Sequence, residues 1–304
     1  MKSKVERYLF IIYLQFMKSF LKVKKLFYYF ILNLRKNVFL HLLSLKLMAP
    51  FSWKKRITLL EYQKKYPEII DLCKKRLPDN PGDAALLYEL IARNLRNLNR
   101  PNEALKYIAK AREIESDPGS LDYEEGLIHF IKKDYSKARL FLENATKKGF
   151  DTAPLQIHLG KAYYQLGLSK RAEQCFRRVL KIYPKEGSIY FLLGIVLKNM
   201  NRYDEAKDAF LKAIQFGSDQ KEEHLGLAEI YTRKGDLENA IKEYKHIIKI
   251  DPNSFVAHYF LGLIYEIQGN ESQAIQELIL ANKINPDDED TRLKLTRLLE
   301  SNPQ

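Results

Sequence analysis

Apolar and polar residues alternate along this chain with a helical period, and the whole pattern recurs every 34 residues. Its clearest column is a row of six alanines, Ala104, Ala138, Ala172, Ala206, Ala240 and Ala274. A large apolar residue stands four positions after each alanine, and a second, mostly small apolar residue stands three positions further on. Offsets of four and seven place these three columns on one stripe of a helix. The pattern therefore predicts six amphipathic helices in one register.

A second column of small residues lies twelve positions before the alanines, at Ala92, Gly126, Gly160, Gly194, Ala228 and Gly262. Short polar turns such as NLNRPNE separate the two columns, so each unit is predicted to hold two helices. Glycine inside a helix costs about 1 kcal/mol relative to alanine. Four glycines in one column, Gly126, Gly160, Gly194 and Gly262, therefore indicate that the paired helices approach closely.

Taken together, these columns resemble the tetratricopeptide repeat, a 34-residue helix-turn-helix unit. The best match contains Leu159, Gly160, Tyr163, Ala172, Phe176 and Pro184. The resemblance implies an all-α fold, a right-handed α-solenoid of antiparallel helix pairs. The six units are expected at 85–118, 119–152, 153–186, 187–220, 221–254 and 255–288.

The chain departs from this pattern in places: Asp122 and Glu125 stand where apolar residues are usual, and Ser116, Phe150 and Ser218 replace the proline that ends a unit. Less regular packing is therefore expected in units two and three. Both ends of the array need a cover for their apolar faces. Residues 50–84 are interpreted as a degenerate repeat, with Ile69, Cys73 and Pro81 in its columns. Residues 289–304 are interpreted as a capping helix whose inner face contains Leu293, Leu295, Leu298 and Leu299.

Charge divides the chain into two parts that need separate explanations. Residues 1–47 hold ten Lys or Arg against the single acid Glu6, a charge of +9, so only +4 of the total +13 belongs to the rest. No charge-free run in this segment approaches the roughly 18 residues of a membrane span. One interpretation is a basic, aromatic helix on an anionic membrane surface.

A second interpretation of residues 1–47 is that Met48 is the natural start, since the segment is dominated by residues with A/T-rich codons. A targeting segment of another kind is the third. The expected location is the cytoplasm, with peripheral or anchored contact at the cytoplasmic membrane face as the alternative.

Catalytic and metal-binding motifs are missing from the sequence. Neither the six histidines nor Cys73 and Cys175 have metal-ligand spacing, and no glycine-rich phosphate loop is present. Once repeats and caps are assigned, no stretch is left for a catalytic domain. We expect no catalytic residues, cofactor, metal or small-molecule substrate, and hence no enzyme.

The resemblance implies instead a protein-interaction scaffold, or adaptor, that holds a peptide or protein segment in a concave groove lined by the first helix of each unit. Aromatic residues mixed with bases suit a partner with apolar anchors and some acidic groups. Two alternatives stay open: a membrane-associated assembly factor tethered by residues 1–47, and an RNA-binding helical repeat, although nucleic acid is not expected with +4 on the body. The residues expected to face the groove are Arg93, Arg96, Tyr123, Phe130, Ile157, Lys161, Tyr164, Phe191, Ile195, Lys198, Glu229, Arg233, Tyr259, Leu263 and Glu266.

Overall fold

The computed structural model describes residues 53–78, 81–114, 119–218 and 221–301, so the basic segment 1–47 lies outside the described residues. The chain divides into two compact units, residues 1–65 and 66–304. Helix α1 (Trp53–Tyr62) belongs to the first unit. The second begins with α2 (Tyr66–Arg76), so the division falls inside the predicted repeat 50–84.

Within the described ranges every regular element is helical. A short 3-10 turn, Pro81–Asp83, precedes α3. The remaining helices are α3 (Ala84–Asn97), α4 (Pro101–Ile114), α5 (Gly119–Ile131), α6 (Tyr135–Lys147), α7 (Ala153–Gln165), α8 (Ser169–Ile182), α9 (Gly187–Asn199), α10 (Tyr203–Gln215), α11 (Lys221–Lys234), α12 (Leu237–Ile250), α13 (Phe255–Ile267), α14 (Glu271–Ile284) and α15 (Glu289–Ser301).

From α2 onward, each helix packs on the next one in the chain. The most extensive contacts are those inside the pairs α3/α4, α5/α6, α7/α8, α9/α10, α11/α12 and α13/α14, one pair for each predicted 34-residue unit. Some first helices also contact the first helix of the next unit: α3 contacts α5, and α9 contacts α11. This arrangement of sequential helix pairs confirms the all-α solenoid.

Close helix packing explains the small-residue columns. All six alanines of the first column are completely buried, with 0% exposure. A Cβ atom on Gly194 would lie 2.8 Å from Cε1 of Phe210, and one on Gly226 would lie 2.6 Å from Cζ of the same ring. Phe210 thus rests against the backbone of α9 in its own unit and of α11 in the next. Because both approaches are closer than carbon atoms tolerate, glycine is required at these two positions.

The turns inside the pairs share a backbone conformation that the small-residue columns do not predict. One residue in each, again at 34-residue spacing, has a positive φ between 57° and 74°: Asn99, Lys133, Gly167, Asn201, Gly235 and Gly269. Glycine and asparagine adopt this left-handed conformation at low cost, whereas other residues pay about 1–2 kcal/mol. Lys133 is therefore the strained member of the set.

Two second helices end on a glycine where the expected proline is absent. Gly149 and Gly217 have φ values of 83° and 90°. In each case the next residue donates a backbone hydrogen bond five positions back, from Phe150 to Ala145 and from Ser218 to Ala213, at 3.0 Å. This is the Schellman arrangement, which satisfies the last carbonyls of a helix.

The capping helix α15 packs differently from the prediction. Thr291 is fully buried, Leu298 is 6% exposed, and Leu295 is half-buried against the last core cluster. Leu293 and Leu299, also predicted to face inward, are 61% and 48% exposed. The prediction was wrong for these two leucines because the face that meets α14 is the narrower stripe through positions 291, 295 and 298, spaced by four and three residues.

Candidate partner-binding surface

The first helix of each pair carries every side chain that was predicted to face a groove. We call the side chains of α3, α5, α7, α9, α11 and α13 at those fifteen positions the first-helix surface. All of them are half-buried except Arg233, which is exposed. Half-burial gives each side chain one edge against the protein and leaves the other accessible.

At the α3 end, ion pairs within the chain occupy the arginines. Arg93 donates from Nε to Glu124 Oε1 and from Nη2 to Glu89 Oε1, both at 2.9 Å, and Arg96 donates to Glu124 Oε2 at 3.1 Å. The Glu124 side chain is only 3% exposed. Burial raises the pKa of Glu89, while Arg93 and a hydrogen bond from Ser120 oppose this effect. These contacts correct the expectation that both arginines are available for acidic groups of a partner.

An aromatic cluster follows where α5 meets α7. The ring of His158 lies 6.3 Å from that of Tyr123 and 6.0 Å from that of Phe130, edge to face in both cases. His158 Nδ1 donates to the Pro154 carbonyl at 2.8 Å, which fixes the orientation of the imidazole. Burial lowers the pKa of His158, and the charge of Lys161 adds to this. The lowered pKa favours the neutral form of the imidazole.

The middle of the surface is apolar with one ammonium group. Ile157, Tyr164, Phe191 and Ile195 all pack against the main core cluster while keeping an accessible edge, and we define them together with Lys161 as the central patch. The Phe191 ring lies 6.0 Å from that of Phe210 in the core. The Tyr164 hydroxyl accepts a 2.9 Å hydrogen bond from Asn199 Nδ2 on α9, which joins the two helices of the patch.

The far end of the surface is again occupied by polar pairs. Lys198 on α9 forms an ion pair with Glu229 on α11. The Tyr259 hydroxyl donates to Asp290 on α15, so the cap contacts the same surface. Burial and this carboxylate raise the pKa of Tyr259. The exposed Leu293 stands three residues after Asp290 and therefore lies on the same side of α15.

Three residues that shape this surface were not among the predicted groove positions: Glu124, His158 and Asn199. Glu124 and His158 stand at the sixth position of their units, next to the predicted groove positions. An acid about 28 to 31 residues after two arginines is a signal that could have revealed the pairing, because one unit's length brings first helices side by side. Asn199 had no such signal.

Other reactive groups lie in environments that keep them inert. Cys175 is buried beside a cavity of about 370 Å³ between α6, α7 and α8, and burial raises its pKa to about 12. Such a thiol is not a nucleophile at neutral pH. In the described ranges, no group of His, Cys, Asp and Glu side chains could hold a metal ion. Nor do these ranges contain a helix long and apolar enough to cross a membrane.

Comparison with known proteins places this geometry in a family. A tetratricopeptide repeat model matches residues 157–221, a second matches 256–288, and a TPR repeat model matches 228–269. A TPR repeat-containing protein of Methanocaldococcus jannaschii is 24% identical over 65% of this chain and 36% of its own length. Anaphase-promoting complex subunit 3 of Schizosaccharomyces pombe is 23% identical over 59% of this chain and 27% of its own. Human protein O-mannosyl-transferase TMTC1 is 29% identical over 43% of this chain, which corresponds to 15% of that protein.

Solved structures agree on the fold. The C-terminal part of a TPR repeat-containing protein from Cytophaga hutchinsonii superimposes with a TM-score of 0.63 at 16% identity, over 79% of this chain and 98% of that one. The Cut9–Hcn1 hetero-tetramer of APC/C gives a TM-score of 0.58 at 16% identity, over 85% of this chain and 51% of that one. This chain spans well under two thirds of the length of the relatives it matches in sequence. Its 34-residue helix pairs and the family matches show that it is a tetratricopeptide repeat protein.

Proposed function

We propose that this protein is a non-enzymatic adaptor that binds a segment of a protein partner along the first-helix surface. The observation that carries the proposal is the central patch, where four apolar or aromatic side chains on α7 and α9 keep accessible edges. Aromatic and aliphatic anchors on a rigid support are the usual source of peptide affinity. Rigidity follows here from the packing of Phe191 on Phe210 and from the bond between Tyr164 and Asn199.

Two features of the surface favour a protein segment over a small molecule or a nucleic acid. The patch extends across two successive first helices, a shape suited to a chain segment. Arg93, Arg96 and Lys198 are already matched by carboxylates of the protein itself. A phosphate backbone requires a row of available cations, and three of the five bases on this surface are occupied.

Short random peptides displayed on phage provide a test that needs no knowledge of the natural partner. Peptides selected on the intact wild-type chain are measured against Ile195→Asp and against Leu211→Asp, which places the same charge on the exposed side of the second helix α10. Ile195→Asp is expected to weaken binding by about tenfold or more, because it introduces a charge at an apolar anchor. Leu211→Asp should leave the affinity unchanged.

Two outcomes would contradict the adaptor proposal. One is that no peptide is enriched over an uncoated support. The other is that both aspartate variants lose binding equally, which would place the peptide elsewhere. Circular dichroism melting of each variant separates a lost contact from a lost fold.

The location that we propose is the cytoplasm, and the alternative is peripheral contact with an anionic membrane through residues 1–47. The alternative is supported by the charge of +9 in this segment, since each base near an anionic surface contributes about 1 kcal/mol. On this alternative, the full chain is expected to float with vesicles that contain phosphatidylserine, and to do so less as salt increases. Residues 48–304 serve as the control, and equal flotation of both chains would argue against this contact.

A further inference from the structure

The five bases of the first-helix surface fall into two classes. Arg93, Arg96 and Lys198 each form an ion pair with a carboxylate of a neighbouring first helix. Lys161 and Arg233 have no ion pair with any residue that the structure describes. Arg233 is exposed, so water solvates its charge, whereas Lys161 is half-buried among apolar residues.

Lys161 occupies the middle of the central patch. Ile157 stands four residues before it and Tyr164 three residues after it, so all three side chains lie on one face of α7. Its positive charge contributes to the lowered pKa of the neighbouring His158. The apolar residues and the ammonium group thus form one continuous surface with a local positive charge.

The Glu124 carboxylate, which also acts on His158, is engaged by two arginines and forms no ion pair with Lys161. Glu124 contributes electrostatically at His158, but Arg93 holds its Oε1 and Arg96 holds its Oε2. Carboxylates of the protein neutralise Arg93, Arg96 and Lys198, while the ammonium group at the centre of the surface has no ion pair among the described residues. A bound segment that covered Lys161 without a counter-charge would bury an unpaired ammonium, which is strongly unfavourable.

We infer that the partner segment presents a carboxylate side chain to Lys161, flanked by aliphatic or aromatic residues that cover Ile157, Tyr164 and Ile195. This inference rests on the proposed adaptor function and adds the chemistry of the partner to it. A charge-assisted hydrogen bond in a partly desolvated groove is both strong and directional. The apolar patch therefore supplies affinity, and Lys161 selects acidic segments and sets their register.

The test uses the same displayed random peptides with a second pair of variants of the full chain. Lys161→Met removes the central ammonium and keeps the length of the side chain. Lys170→Met is the matched control, because it removes the same charge from an exposed position on the second helix α8. Peptides selected on the wild-type chain should be enriched in Asp or Glu next to Leu, Ile or Phe.

A synthetic peptide of the enriched sequence is expected to bind Lys161→Met about tenfold more weakly than the wild type, as the loss of one charge-assisted contact implies. Lys170→Met should bind it like the wild type. A charge exchange tests whether the two groups contact each other. The peptide with its acid replaced by lysine should bind Lys161→Glu better than it binds the wild-type chain.

The outcomes separate this inference from the adaptor proposal. Peptides that bind, that are sensitive to Ile195→Asp, but that lack acidic residues and bind Lys161→Met normally would overturn the inference and leave the adaptor function intact. Failure of every peptide would count against the adaptor function itself. Tight binding of a short oligouridylate that depends on Lys161, with no peptide enriched, would overturn both in favour of a nucleic acid partner.

Discussion

Two junctions between successive helix pairs show that the same repeat can be joined by opposite physical means. At the ionic junction, between α4 and α5, Arg112 Nη2 lies 2.5 Å from Asp122 Oδ1 and 2.8 Å from Glu125 Oε2, and Lys148 Nζ lies 2.6 Å from the other oxygen of Asp122. At the apolar junction, between α10 and α11, the Phe210 ring rests on the backbone of Gly226. Phe210 and Asp122 are equally hidden, at 1% and 2% exposure.

A polar residue in a core column need not disorder the repeat. Asp122 and Glu125 were expected to make packing less regular, yet α5 and α6 pack as extensively as any pair. Arg112 on α4 and Lys148, the residue directly after α6, supply the matching charges. The orientation of such a junction depends on directional bonds, whereas the apolar junction depends on shape.

The largest effect is expected at the apolar junction. Phe210→Ala removes a ring that fills the space between α9, α10 and α11, and such a cavity costs about 3–5 kcal/mol. Equilibrium unfolding in urea should show this loss. Leu211→Ala is the control, since the adjacent leucine is 44% exposed and its truncation should leave the midpoint almost unchanged. Equal losses in both variants would contradict the role assigned to the Phe210 ring.

A smaller loss, about 3 kcal/mol, is expected for Arg112→Met at the ionic junction, because Glu125 loses its guanidinium partner and Asp122 keeps only Lys148. Arg177→Met removes an arginine whose own side chain is 47% exposed, and pairs of such exposed arginines contribute about 0–1 kcal/mol. Urea unfolding compares the two variants.

A triple variant then tests whether the charges are replaceable. Arg112→Met combined with Asp122→Leu and Glu125→Leu removes both carboxylates together with their arginine, and Lys148, whose side chain is 26% exposed, keeps its contact with water. The stability of this variant should be equal to or higher than that of the wild type, as in other buried ion clusters exchanged for apolar residues. A triple variant less stable than Arg112→Met alone would mean that the ionic junction is required for correct packing.

The next largest loss of stability is expected at the contact between the two helices of one pair, α9 and α10. Ala206→Leu should destabilise the protein by about 1–3 kcal/mol, because the fully buried alanine has no room for three more carbon atoms. Thermal melting measures the change, and Ala109→Leu at an exposed position of α4 is the control. A wild-type melting temperature for Ala206→Leu would disprove close packing at this column.

The smallest effect is a gain in stability, and it belongs to the unit that contains the ionic junction. Lys133 has a φ of 59° in a turn where three other units use glycine. Lys133→Gly relieves a strain of about 1–2 kcal/mol but increases the entropy of the unfolded chain, so a net gain of about 0.5–1 kcal/mol is expected. Lys132→Gly, one position earlier, should be neutral or destabilising. A destabilised Lys133→Gly variant would show that the lysine side chain makes a stabilising contact that glycine cannot replace.

Periodicity along the chain is enough to predict the repeat, the helix pairs and the positions where the helices approach closely. Periodicity carries this information because each column has one packing environment in every unit, so Ala104 and Ala274 meet the same constraint although 170 residues separate them. The placement of all fifteen predicted surface residues on first helices follows from the same register.

The charges that are available to a partner and the leucines that face water depend on how the helices pack against one another, which the repeat pattern does not reveal. Arg93 and Lys161 look alike in the repeat pattern, since both stand one position after the small residue of their first helix. They differ because Glu124 and Glu89 lie within hydrogen-bonding distance of Arg93, and no described carboxylate does so for Lys161. Ion pairs across units depend on side-chain reach between helices about 30 residues apart in sequence, and a periodic pattern records spacing but not partners.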